Sequence, residues 1–267
     1  MEFTHALTCL KANRVGLCES AAMSSSTTIP AVITPETTIG ALVAARPLLA
    51  RSFQKLAMDY CCGGKQTLAA ACARRGLDVA ATIAQLESAD LALAAGPAEV
   101  NAAAMGLAEL ADHIVTTHHA YLKAELPRLT EMADRVSTKH GWRDHRLPEV
   151  AAAVATLAGE MLNHMQKEEH ILFPAVRAIA AGTEAGRCGG DLSGPIRQME
   201  AEHESAGQLT AKLRELTDDF TPNAEACNTH RALLAGLAEF ESDLHRHVHK
   251  ENNVLFPRTL ALAANAP

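Results

Sequence analysis

Two segments of the chain carry one pattern. HMQKEEHILFP spans residues 164–174 and HVHKENNVLFP spans residues 247–257, and both read H-x-x-K-E-x-x-[IV]-L-F-P. In each copy a histidine precedes a glutamate by four residues, just ahead of an apolar cluster closed by proline. On an α-helix that spacing puts both side chains on one face, about 5–6 Å apart at Cβ. The fold must therefore place two polar pairs, in the same register, beside residues that belong in a core.

The rest of the sequence makes the surrounding elements helices. Apolar residues are 48% of the 267 but aromatic residues only 3%, and alanine and leucine are abundant, a bias toward helix over strand. Long helical patterns run from about Ala102 to Leu126, Pro148 to Ile179, Pro195 to Leu216 and Glu225 to Leu262. The first is expected to end or kink at Pro127. GTEAGRCGGDLSG and TDDFTPN are turn-rich connections, so residues 102–263 read as an antiparallel four-helix bundle. Residues 36–94 read as a small helical domain. It has two short helices broken at Pro47, a third stopped near Gly76 and a fourth N-capped by Asp78. Residues 95–101, within LAAGPAEVN, form a linker, and the polar residues 1–35 an unstructured lead. The fold class expected is all-α, a small N-terminal helical domain plus an antiparallel four-helix bundle.

Several classes are disfavoured. A net charge of −7 argues against a general nucleic-acid surface. No apolar run of about 18 residues indicates a membrane span. Seven cysteines, odd in number and irregularly spaced, do not form a secreted disulfide framework. The first residues lack the apolar core of a signal peptide. The compartment expected is the cytoplasm.

The inward stripes are interrupted by polar residues in register. His164 and Glu168 fall between Met161 and Ile171, and His247 and Glu251 between Leu244 and Val254. His203 follows Ile196 and Met199, and His119 falls between Val115 and Leu122. One His–Glu pair at this spacing is ordinarily a surface contact. Two in register, with inward histidines on the other two helices, are not, because a lone carboxylate inside a bundle costs several kcal/mol. Four imidazoles and two carboxylates exceed the needs of one tetrahedral zinc. They suit two metals, each with two terminal histidines and with both glutamates as bridges. Mixed nitrogen and carboxylate ligation favours iron or manganese, and the imidazole content tilts this to iron. The expected cofactor is two non-haem iron ions. His118, about 100° around its helix from His119, and His170, His245 and His249 fall off the stripes and are expected at solvent. His140, beside Gly141 and Trp142, is expected in a loop, its role near the pocket left open. The ILFP and VLFP tails read as core packing and kinks.

In these motifs the chain resembles the Ric family (repair of iron centres), which joins an ScdA-type N-terminal domain to a haemerythrin-like bundle. The resemblance rests on MDYCCGGKQTL at 58–68, HMQKEEHILFP, MEAEHESAG at 199–207 and ENNVLFPR at 251–258, and covers about Thr38 to Leu262. It implies a di-iron protein that helps restore iron–sulfur clusters damaged by nitric oxide or peroxide. The partners implied are damaged iron–sulfur proteins and nitric oxide or oxygen species, with a homodimer left open. The family's ligands fall on His119, His164, Glu168, His203, His247 and Glu251, the set the helix faces select. Its paired cysteines fall on Cys61 and Cys62, which are taken as the reactive residues. Met23 lies near where members of the family begin, so residues 1–22 are either a mis-called start or an extension.

For Cys61 and Cys62 the bland alternative is a pair of small buried hydrophobes. Gly63 and Gly64 point instead to an exposed turn with reachable thiols. Cys72, Cys188 and Cys227 read as structural. Three functions remain open at this level: donation of iron to damaged clusters, binding or reduction of nitric oxide, and oxygen or nitric oxide sensing. The CCGG segment disfavours plain oxygen carriage. Donor and reductase need the same exchangeable positions on iron, so whether the protein is an enzyme is not decided by the sequence.

Overall fold

The computed structural model describes residues 32–93, 100–183 and 191–264. The lead up to residue 31, most of the linker and Cys188 lie outside the described residues. Among the described residues there is no strand, only an isolated bridge between Thr38 and Thr67, and the fold is all-α.

The N-terminal unit is built from short, well-capped helices. Thr38 accepts from the Ala41 amide and starts α1 (Ile39–Ala45). Pro47 opens a 3-10 turn, and α2 (Ala50–Lys55) follows. Thr67 caps α3 (Leu68–Arg75), which stops at Gly76 in the left-handed region, φ 64°, where the absence of a Cβ removes the penalty. Asp78 accepts from the Ala81 amide and starts α4 (Val79–Leu93). Ile39, Leu42, Leu49, Phe53, Tyr60, Leu68, Cys72 and Leu86 form its core. Ile33 packs there too, so packing begins inside the segment expected to be unstructured.

The bundle follows. Its first helix comprises α5 (Leu107–Ile114), a π turn at Val115–His119, and α6 (Ala120–His140). The second comprises α7 (Leu147–Lys167), a π turn at Glu168–Leu172, and α8 (Phe173–Ala180). The third is α9 (Ser193–Leu216). The fourth comprises α10 (Asn228–Lys250), a π turn at Glu251–Leu255, and α11 (Phe256–Ala264). Helix α6 packs on α7 and α10, and α7 on α9.

The break expected at Pro127 does not occur, because α6 runs through it to His140. A helix-interior proline costs about 3 kcal/mol. Leu122, Leu126, Leu129, Ala133 and Val136 are all buried on this helix, and each buried leucine contributes about 1.5–3 kcal/mol, so packing outweighs the lost hydrogen bond. His140 is consequently the last residue of α6 rather than a loop residue. It lies 21 residues from His119, about 30 Å along the axis, too far to support the pocket.

Two apolar clusters divide the bundle along its length. One holds Leu122, Met161, Met165, Ala206, Leu244 and Val248. The other holds Ile114, Leu172, Phe173, Met199, Val254 and Phe256. On every helix the residues between the two clusters are the polar ones picked out above. The order of crossing alternates between successive helices, as an antiparallel bundle requires.

Candidate metal centre

The polar layer between the clusters contains all six expected ligand residues. His119, Glu168, His247 and Glu251 are 0% exposed, and His164 and His203 are 1%. His119 ends the first π turn, while Glu168 and Glu251 begin the second and third. The second and third π turns are each followed by Phe-Pro. Proline offers no amide to the helical ladder, and the ladder is re-registered over the turn just before it. The phenylalanines do more than fill the core: Phe173 stacks on the His119 ring and Phe256 on the His203 ring, at 5.7 and 6.1 Å.

The four imidazoles form two pairs. His119 Nε2 and His247 Nε2 are 3.2 Å apart, and His203 Nε2 and His164 Nε2 are 3.0 Å apart. The carboxylates lie between the pairs. Glu251 turns Oε1 to His247 at 2.9 Å and Oε2 to His203 at 3.1 Å. Glu168 Oε2 faces His119 at 3.3 Å and His164 at 3.4 Å. Two sets result, His119–Glu168–His247–Glu251 and His164–Glu168–His203–Glu251, each with its ligand atoms within 4.8 Å of one another.

Three of the four outer nitrogens are anchored. His119 Nδ1 donates to Glu169 at 2.8 Å, and Lys123 neutralises that carboxylate at 2.7 Å. His164 Nδ1 donates to Glu202 at 2.9 Å, itself held by Lys167 and Gln198. His203 Nδ1 donates to Asn252 Oδ1 at 2.8 Å. A ring whose Nδ1 carries the proton presents a lone pair at Nε2. His247 is held differently. The His118 ring stacks on it at 5.4 Å, with 4° between planes, while Asp243 and Lys250 fix His118 at 3.0 and 2.7 Å.

Burial raises the cost of charging every group here, yet the carboxylates stay ionised. Burial pushes Glu251 up, but His247 and His203 hold it well below the usual carboxylate range. Glu168 is also lowered, against burial and Glu251, by His164 and His119. Burial works to lower His164, but the Glu168 carboxylate outweighs it and raises it to about 9. The layer is thus two buried anions that demand positive charge.

These residues fit metal binding on the structure's own terms. Both oxygens of Glu168 and Oε2 of Glu251 are buried without an aligned hydrogen-bond donor, at a cost of several kcal/mol unless a cation takes them. The donor set is imidazole and carboxylate with no thiolate, which suits iron.

Sequence reasoning misplaced three histidines. His118 and His249 are buried and His245 is partly so, whereas His170 is exposed as expected. On a π turn, i→i+5 bonding advances each residue by less than 100°, so His118 and His119 both turn inward. His245 and His249 lie under the N-terminal unit, with Tyr60 against their rings at 6.1 and 5.6 Å. Glu169, Glu202 and Asn252 were also missed. Their signal was adjacency, since each sits next to an expected ligand in sequence and a ligating histidine ordinarily needs an outer acceptor.

The CCGG loop is docked on the bundle rather than tethered away from it. Asn253 donates to the Cys61 carbonyl at 2.9 Å, and His249 Nδ1 to the Tyr60 carbonyl at 3.3 Å. A Cβ on Gly64 would stand 2.2 Å from Asn253 Oδ1, so this close approach needs glycine. Cys61 is buried and Cys62 half-buried. Both line a cavity of about 730 Å³ that also reaches His203. Cys72 is buried in the N-terminal core, and Cys227 Sγ accepts from the His230 amide at the start of α10.

Comparison with known proteins agrees with this arrangement. The hemerythrin HHE cation binding domain matches residues 110–259, and ScdA_N, a domain of unknown function, matches residues 35–90. The iron-sulfur cluster repair protein YtfE of Musicola paradisiaca (strain Ech703) is 40% identical over 225 residues, 84% of this chain and 96% of that protein. Those named YtfE from Citrobacter koseri and Escherichia coli O157:H7 are each 40% identical over 223 residues, with the same coverage. No helix among the described residues is long and apolar enough to cross a membrane.

Proposed function

The chain belongs to the family of iron–sulfur cluster repair proteins built on a hemerythrin HHE domain, and from that membership we propose that it repairs clusters damaged by nitrosative or oxidative stress by donating iron from a di-iron centre. The observation that carries the iron count is Glu251, whose two oxygens address two different histidine pairs at 2.9 and 3.1 Å. His119, His247, His164 and His203 would be the terminal ligands, and Glu168 and Glu251 the shared ones. Bound there, iron supplies exchangeable ferrous ions and reversible one-electron chemistry.

The chain's own residues set how that iron is held. The two apolar clusters exclude water from both ends of the polar layer. Glu169, Glu202 and Asn252 keep the Nε2 lone pairs aimed inward. Lys123 and Lys167 offset the outer carboxylates, so Glu169 and Glu202 can stay charged beside the histidines they anchor. Every ligand is an imidazole or carboxylate that can take a proton in place of metal, which suits release as well as storage. Damaged iron–sulfur proteins are the acceptors this reading requires.

The test supplies purified reduced protein to a cluster-damaged enzyme and, separately, to nitric oxide. Donation predicts recovered activity together with loss of iron from the bundle. Stoichiometric nitrous oxide without recovery would instead assign the centre to nitric oxide reduction.

A further inference from the structure

Outside the bundle layer, one other group of metal-ligating side chains is drawn together among the described residues: Asp59, Cys61 and Cys62. Asp59 Oδ1 lies 3.1 Å from Cys61 Sγ, and the two sulfurs are 4.0 Å apart. A tetrahedral ion with metal–sulfur bonds of about 2.3 Å and metal–oxygen bonds of about 2.0–2.2 Å has edges near 3.8 Å between sulfurs and 3.5 Å between sulfur and oxygen. The Cys61 sulfur therefore stands within about half an ångström of the spacing such an ion needs from both Asp59 and Cys62, and all three ligand atoms lie within 4.8 Å of one another. The loop is held in that shape. The Cys61 and Cys62 amides donate to Asp59 Oδ1 at 3.1 and 2.9 Å, and the Gly63 amide donates to Oδ2 at 2.9 Å.

Its position is as telling as its donors. The cavity that both cysteines and Asp59 line is lined also by His203, a member of the bundle layer. A second, smaller cavity places the cysteines with Asn252 and Asn253. The thiols thus share a cavity with a residue of the bundle layer.

We propose that Asp59, Cys61 and Cys62 form a third metal site, distinct from the two glutamate-bridged positions, that takes a divalent cation of the borderline-soft class, ferrous iron in the working protein. Two thiolates and one carboxylate select Fe(II), Co(II) or Zn(II) over calcium or magnesium. Each thiol gives up its proton to solvent as its sulfur–metal bond forms. The metal stays divalent throughout, so no oxidant or reductant is consumed. This deepens the donation reading and rests on it: iron leaving the bundle would pause here before reaching an acceptor.

The experiment uses the full chain with its bundle loaded with iron, titrated anaerobically with Co(II). One cobalt per chain beyond the bundle iron should bind and show thiolate-to-cobalt charge-transfer absorption, which imidazole and carboxylate ligands do not produce. The Cys61→Ser, Cys62→Ser double variant should lose that absorption while keeping the ferric spectrum of the bundle. Asp59→Asn should weaken cobalt binding tenfold or more. Absence of the thiolate band in the native chain, or its persistence in the double variant, overturns the site. Transfer of iron to a damaged enzyme is followed in the same samples. A cobalt band without transfer in the native protein sinks the donation reading and leaves the site standing. Native-rate transfer by a double variant with no band overturns the route through the thiols and leaves donation standing.

Discussion

The side-chain amide of Asn253 donates to the backbone carbonyl of Cys61 over 2.9 Å. Its chain neighbour Asn252 holds His203, and Glu251 before that faces both histidine pairs. Three consecutive residues of one π turn therefore link the polar layer, its outer support and the thiol loop.

Asn253→Ala should loosen the loop without emptying the centre. It removes the donor to the Cys61 carbonyl and a longer contact to the Tyr60 carbonyl at 3.4 Å. Lost hydrogen bonds at partly buried carbonyls cost about 1–3 kcal/mol. Denaturant unfolding should show that loss, while iron content stays at the native level. Alkylation of Cys61, buried at 5% exposure, should accelerate. An unchanged alkylation rate would mean that something other than Asn253 holds the loop.

Gly64→Ala should be more costly than an ordinary glycine substitution. Its Cβ would meet Asn253 Oδ1 at 2.2 Å and the Tyr60 carbonyl oxygen at 2.8 Å, and overpacking of this kind costs about 1–3 kcal/mol. Part of that cost should vanish in the Asn253→Ala background, because one of the two clashing partners is gone. A double-mutant cycle on thermal unfolding reads the difference, and strict additivity would contradict the docking described.

Much of this site was legible from helix periodicity, and the failures have physical causes. His164 with Glu168, and His247 with Glu251, lie at the α-helical ends just before or at the start of π turns, where 100° per residue still holds. His118 lies inside a π turn, where it does not. His245 and His249 face outward from the four-helix core, but the N-terminal unit covers that face through Tyr60, a tertiary contact between residues nearly 190 apart that no local pattern encodes. Pro127 was read as a breaker because propensity is local, whereas the stripe around it is buried along the whole of α6. The phenylalanines of the two repeats read as filler because stacking on His119 and His203 involves other helices.

The native chain should show an order of thiol reactivity. Cys62 is half-buried and Cys61 buried. The Cys62 sulfur, then burial and Asp59, also push the Cys61 thiol well above its ordinary range. Alkylation followed by mass spectrometry should find Cys62 modified first, and Cys61 modified first would contradict the arrangement of the loop.

The outer acceptors should matter to metal retention without touching metal. Glu169→Gln and Glu202→Gln each weaken the anchor on a ligating histidine, and changes of this kind typically cost 10–100-fold in metal affinity. Competition with a ferrous chelator should show faster iron loss from both. His170→Ala, on the exposed face, should behave as the native protein. His118→Ala should fall between, since it removes the ring stacked on His247 and leaves Asp243 with Arg246 alone.

The most direct measurement is the metal content of the protein purified from iron-supplied cells, native and with Glu168→Ala or Glu251→Ala. Two shared carboxylates between two histidine pairs predict two irons per chain, a near-ultraviolet band of an oxo-bridged ferric pair, and loss of both features in either variant. One tightly held zinc with no iron, or a native iron content in both variants, would contradict the account.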